Sequence, residues 1–179
     1  MKITKFGHCC LLIEENGLRI LTDPGSYSTG QENVKNIDVI LITHEHQDHL
    51  HIPSLKMCIN NNPKVKIYTN KGVGKLLDIE NIKYGLLEDG QTIKIKGISI
   101  EGFGHDHAPL YKVTPCINTG YCIANRLFYP GDALHKPPKK VEILALPVAG
   151  PWLKLSEAIE YALDIKPKMA FPVHEGILK

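Results

Sequence analysis

The stretch Ile37 to Thr43 is almost continuously apolar, and it stops abruptly at His44-Glu45-His46-Gln47-Asp48-His49. A strand with apolar side chains on both faces belongs inside a sheet that is covered on both sides. The residues just beyond it are opposite in character: three imidazoles and two carboxylates crowd into the seven residues from Thr43 to His49. A buried strand that delivers metal-affine groups at its end narrows both the fold and the chemistry available to this chain.

The flanking sequence supplies the covering layers. Cys9 to Glu14 and Leu18 to Thr22 are β-prone runs joined by Glu15-Asn16-Gly17, a hairpin signal. Ile52 to Ile59 reads as a helix and Val65 to Thr69 as a strand. Ile82 to Leu87, Thr92 to Ile95 and Ile98 to Phe103 come next as strands punctuated by Glu88-Asp89-Gly90 and Gly97. Tyr121 to Ala124 and Arg126 to Tyr129 form a second hairpin, and Val141 to Leu146 is an apolar strand. Leu155 to Leu163 places Leu155, Ile159, Ala162 and Leu163 at helical spacing, with Ser156 in reach of the N-cap. Met169 to Val173 closes as a strand. Strands outnumber helices, so the pattern predicts an α/β sandwich of sheets with helices outside, in one domain spanning residues 1–179.

Bulk properties exclude several classes. A net charge of +2 over 179 residues, with dispersed lysines, gives no footing for nucleic acid or a membrane surface. No apolar run approaches the roughly 20 residues of a bilayer span, and Met1 to Cys10 lacks the apolar core of a secretion signal, so the cytoplasm is expected. The five cysteines (Cys9, Cys10, Cys58, Cys116, Cys122) have no C-x-x-C spacing and read as small buried apolar residues. A homo-oligomer is compatible with the sequence.

His44 and His46 are two apart, so in extended backbone both imidazoles point the same way and can share one ion. Asp48 and His49 come where the chain turns, displaced toward a second ion. A catalytic zinc takes about three protein ligands plus water, and four donors in six residues suit two adjacent ions better than one. More donors stand at other strand ends: His105 and His107 after Phe103, Asp132 after Tyr129, and His174 after Val173.

This set of residues resembles the metallo-β-lactamase-fold hydrolases, through H-x-H-x-D-H, a later histidine, Gly131-Asp132 and a final histidine. The closer likeness is to the branch that includes L-ascorbate-6-phosphate lactonase-like proteins. It runs through Phe6-Gly7-His8-Cys9-Cys10, Thr22-Asp23-Pro24-Gly25, His107-Ala108, Asn118-Thr119-Gly120-Tyr121, Tyr129 to Ala133, and Pro147 to Trp152. The resemblance implies an αββα sandwich of two mixed sheets and a binuclear site. In it His44, His46 and His107 hold one ion, Asp48, His49 and His174 the other, and Asp132 bridges. His107 is chosen over His105 because the likeness runs through His107-Ala108; His105 is then an outer support or a loop residue. Zinc is the first expectation for both ions, with manganese or iron also accepted by such donors. Relatives usually continue well past the last histidine, where only Glu175 to Lys179 remain here.

The resemblance further implies a hydrolase in which a metal-bridging hydroxide attacks an ester, lactone, thioester or phosphoester of a small molecule, with Asp48 orienting it and handling its proton. His8 and Asp23 fit outer positions that orient ligands. Trp152 and His135 are candidate cleft or substrate contacts. The alternatives are a non-catalytic metal-binding or regulatory module, a nuclease, and a di-iron redox protein. The last favours glutamate where His46 stands, and Glu45 is one residue out of register. Asp132 replaces the cysteine that β-lactam-specialised members often carry, so β-lactam hydrolysis is not implied.

Overall fold

The computed structural model describes residues 1–178. Twelve strands form two six-stranded sheets. The first sheet contains β1 (Lys2–Lys5), β2 (Leu11–Glu15), β3 (Leu18–Thr22), β4 (Val39–Leu41), β5 (Lys66–Thr69) and β6 (Gly85–Leu86), side by side in chain order. The second contains β7 (Thr92–Ile95), β8 (Ile98–Phe103), β9 (Gly120–Ile123), β10 (Leu127–Tyr129), β11 (Ile143–Pro147) and β12 (Met169–Val173). Both sheets are mixed. β1 to β3 are antiparallel and β3 to β6 parallel; β7 to β10 are antiparallel and β10 to β12 parallel.

Period-two alternation builds the layers. Leu11, Ile13, Leu18, Ile20, Val39 and Leu41 of the first sheet face Ile100, Tyr121, Ile123, Leu127, Tyr129 and Ala145 of the second, forming the central core. The intervening residues Leu12, Leu21, Ile40 and Ile42 point the other way, onto helices α1 (Ile52–Asn61) and α2 (Lys71–Ile79). On the far side, Cys122, Phe128 and Leu144 meet Tyr161, Ala162 and Ile165 of α3 (Leu155–Ile165). The order is therefore helix, sheet, sheet, helix, as the resemblance implies. The apolar stretch beginning at Ile37 keeps only Val39–Leu41 in the ladder, but Val39 to Ile42 are all fully buried, as expected for a strand covered on both faces.

Three local expectations need correction. Lys71–Ile79 is a helix that the sequence pattern does not announce, because Lys71-Gly72-Val73-Gly74 carries two helix-weakening glycines. Asn70 caps it by accepting from the Gly72 and Val73 amides, and a Cβ on Gly74 would lie 2.5 Å from the Tyr84 hydroxyl, so close packing fixes that glycine. Lys2–Lys5 is an edge strand, too short and too lysine-flanked to carry a strand signal. In α3 the N-cap is Lys154, supported by Glu157, and Ser156 lies inside the helix. The face that α3 buries is Ala158 and Tyr161, whereas Leu155, Ile159 and Leu163 are exposed. Among the described residues no helix is long and apolar enough to cross a membrane, and all five cysteines are unbridged.

Candidate metal centre

The metal-affine side chains converge where strands of both sheets end. The first sheet contributes His44, His46, Asp48 and His49 just past β4, and Asp23 just past β3. The second contributes His107 after β8, Asp132 after β10 and His174 directly after β12. Strand ends are where a rigid scaffold can hold several loops in fixed relation. The β4 loop folds back on itself, with the His49 and Leu50 amides donating to the His46 carbonyl at 2.9 and 2.8 Å. Its turn abuts the Pro24-Gly25 loop so closely that a Cβ on Gly25 would lie 1.7 Å from the Asp48 carbonyl oxygen.

Asp132 sits at the junction. Its Oδ2 lies 2.8 Å from His174 Nε2, 3.5 Å from His107 Nε2 and 3.9 Å from His44 Nε2, and its Oδ1 lies 3.1 Å from His49 Nε2. Asp48 Oδ2 faces His174 Nε2 at 3.3 Å and His49 Nε2 at 3.8 Å. His44, His46, His107 and Asp132 bring four donor atoms within 4.8 Å of one another. A second group at the same spacing is His8, Cys9, His49 and His174. His107, not His105, joins the cluster. His105 is exposed and pairs with Asp106 at 2.7 Å, so of its two expected places the loop is the one found.

Buried polar atoms without hydrogen-bond partners mark the centre of this cluster: His49 Nε2, His107 Nε2, Asp132 Oδ1 and both ring nitrogens of His174. Orphaned buried groups are costly, and five in one place are what a site for cations leaves behind. The residues around them fix ring orientation. Asp23 is fully buried and accepts from the Thr43 amide (2.8 Å), the Thr43 hydroxyl (2.7 Å), His49 Nδ1 (2.7 Å) and the Tyr129 hydroxyl (2.5 Å). With a proton on Nδ1, His49 Nε2 is left free to ligate. His107 Nδ1 is fixed in the same way by the Ala108 carbonyl at 2.6 Å.

Charge in the two halves is arranged differently. Burial drives His44 well below the usual imidazole range and lowers His46 as well, so these rings are neutral at pH 7. Burial also opposes a charge on His174, yet Asp132 and Asp48 push it up to about 9, and His49 rises too against burial beside Asp132 and Asp23. Both carboxylates are held well below their ordinary values despite burial. The imidazoles of His49, His107 and His174 beside it act on Asp132, and those of His174 and His8 act on Asp48. A proton on His174 therefore competes with a cation bound in the His49–His174 half. Zinc uptake through His174 is expected to weaken as pH falls below about 9, by about tenfold per pH unit for the proton displaced there, whereas the buried, neutral His44 adds no such dependence. Chelator-competition titrations at pH 6, 7 and 8 measure the difference.

Trp152 belongs to the site: its indole N–H donates to Asp132 Oδ2 at 3.0 Å, and its ring meets those of His107 and His174 edge-on. His135 and Trp152 line a cavity of about 380 Å³ next to His107, together with Ala108, Pro109 and Leu134. A cavity of about 770 Å³ between Met1, Ile3, Arg126 and Phe171 touches none of the metal-affine groups, so size alone does not locate the chemistry. Four participants carry no clear sequence signal. Thr43 and Tyr129 hold Asp23, Asn118 accepts the Asp132 amide at 3.0 Å, and Cys116 Sγ lies 3.8 Å from His46 Nε2. Asn118 and Tyr129 lie in stretches through which the family likeness runs, but nothing in the sequence connects them to Asp132 and Asp23. Four of the cysteines are buried as expected and Cys116 is only half-buried; Cys9, within the core, and Cys116 both abut the histidines.

A family model described as a beta-lactamase superfamily domain matches residues 2–174. The chain belongs to that superfamily. A Mycobacterium tuberculosis protein, Rv0786c, is 34% identical over 99% of this chain and 85% of its own length. A UPF0173 metal-dependent hydrolase of Nanoarchaeum equitans is 28% identical over 97% of this chain and 83% of that protein. Among solved structures, one from Parabacteroides distasonis superposes with a TM-score of 0.80 at 25% identity, covering 99% of this chain and 83% of that one. The match ends at His174, so it takes in every metal-affine residue of this superfamily member described above.

Proposed function

We propose that the protein is a binuclear metal-dependent hydrolase acting on an ester or lactone of a small, uncharged acyl compound. The metal-dependent hydrolase activity named for relatives supports the reaction class. The observation that carries the binuclear reading is Asp132, whose two carboxylate oxygens face both donor sets at once. His44, His46 and His107 would hold one cation, and Asp48, His49 and His174 the other, with Asp132 between them. When bound, such a pair supplies Lewis acidity and lowers the pKa of water to about 7. Zinc suits this nitrogen and oxygen set; manganese and iron also fit it.

The chain's own residues supply the rest. Asp48 keeps a side-chain exposure of 21%, against 3% for Asp132, so it is the carboxylate that can meet an entering substrate and take the proton of the attacking water. Trp152 holds Asp132 Oδ2 and, with Leu134 and Pro109, gives the cleft an apolar wall. Among the described residues no lysine or arginine lines that cleft; its charged members are Asp106 and Glu157. Of Lys136, Lys139, Lys140 and Lys154, the lysines that could meet an anionic substrate, none lines that cleft, and Lys136 and Lys139 are turned to Asp164 and Glu101. This favours neutral acyl compounds over phosphoesters and over a nuclease. Glu45 stands outside both donor sets, so the carboxylate that a di-iron redox site favours is not offered.

The test is hydrolysis of matched aryl esters, lactones and phosphodiesters by protein reconstituted with zinc or manganese, before and after chelation. Ester or lactone turnover that is lost on metal removal and restored by the ion is expected. Absence of turnover on all three classes with two equivalents bound would put the regulatory-module reading ahead of the hydrolase.

A further inference from the structure

His8 sits in the second donor group by distance alone, but its hydrogen bonds give it another task. It lies between β1 and β2, is 1% exposed, and adopts a left-handed backbone conformation (φ 32°) that non-glycine residues seldom take. The Gly176 amide donates to His8 Nδ1 at 3.0 Å. A nitrogen that accepts an N–H carries no proton, so the ring's proton is on Nε2. That Nε2 lies 3.0 Å from Asp48 Oδ2 and donates to it. Turning the ring over would put carbon atoms at both contacts, so the two partners fix its orientation together.

From this we infer that His8 is not a ligand but the positioning residue for Asp48, held in its working tautomer by the segment that comes after His174. The inference rests on Asp48 being a ligand of the second ion, as proposed above. To ligate through Nε2, His8 would have to move its proton to Nδ1, where it would face the Gly176 N–H at 3.0 Å. As donor, it occupies one side of Asp48 Oδ2 and leaves the other toward His174 and His49. The grip on His8 comes from both chain ends. Lys5 pairs with Glu175 and donates to the Pro172 carbonyl at 2.7 Å, and the His174 amide donates to the His8 carbonyl at 3.2 Å. Gly176 has to be glycine for this approach, since a Cβ there would lie 2.8 Å from His8 Nδ1.

The experiment is a chelator-competition titration of zinc into metal-free full chain, with the visible spectrum of the cobalt(II) form as a second readout. His8→Leu is expected to weaken the second equivalent about 10–100-fold while the first is unchanged, and to alter the cobalt spectrum. His8→Gln, whose side-chain amide can still donate to Asp48, is expected to restore most of that affinity. Wild-type affinity for both equivalents in His8→Leu would overturn the inference, and so would His8→Gln losing the second ion as fully as His8→Leu. Should His8→Leu fail to fold, Gly176→Ala displaces the same ring from outside; expected is the same selective weakening, and an unchanged second equivalent overturns the proposal. A wild type that binds fewer than two equivalents removes the binuclear reading, and this inference with it.

Discussion

Asp132→Ala is expected to bring zinc content from two equivalents per chain to near zero, measured by mass spectrometry on protein purified without chelator. The reason is its position: one carboxylate faces His44, His49, His107 and His174, so its removal strips a donor from both sets. The loss should far exceed the 10–100-fold typical of an outer partner, and any hydrolase activity should go with it. Wild-type protein that takes up only one ion, or a mutant that retains both, would sink the bridging role of Asp132.

Asp23→Ala is expected to be the most destabilising single change at the site, at about 3–5 kcal/mol, even in metal-free protein. Asp23 is completely buried and accepts four hydrogen bonds that tie β3, β4 and β10 together. Its removal leaves the Thr43 amide, His49 Nδ1 and the Tyr129 hydroxyl without an acceptor in a dry interior. For a chain of this size, roughly 10 °C should be lost from the melting temperature. Thermal unfolding of metal-free wild type and variant measures it; a shift of a degree or two would mean that water replaces the carboxylate.

Much of the fold and the site is legible in the sequence because the relevant signals are local. The apolar stretch ending at Thr43 announces a covered strand, and the six residues after it announce the donors. The hairpin at Asn16-Gly17 and the strand ends before His107, Asp132 and His174 can be read the same way. The features that stay hidden depend on contacts distant in sequence. Tyr129 reaches Asp23 across 106 residues and Cys116 reaches His46 across 70, and no spacing rule connects such pairs. Helix α2 is masked by Gly74, whose presence is explained only by Tyr84 packing against it. Leu155, Ile159 and Leu163, three of the four residues that apolar spacing in α3 assigns to the core, lie on its exposed face, and only Ala162 packs inward with Ala158 and Tyr161. His8 reads from the sequence as an outer residue, but its partner is a carboxylate and not an imidazole.

The donors of each proposed set come from both sheets: His107 completes the pair from the β4 loop, and His174 completes Asp48 and His49. Neither half of the sandwich alone can offer a finished coordination shell. Cations held there would act as rivets through the seam between the layers, adding their binding free energy to the cohesion of the two halves. Chelation should then loosen that seam, and amide hydrogen exchange at the strand ends beside it should quicken.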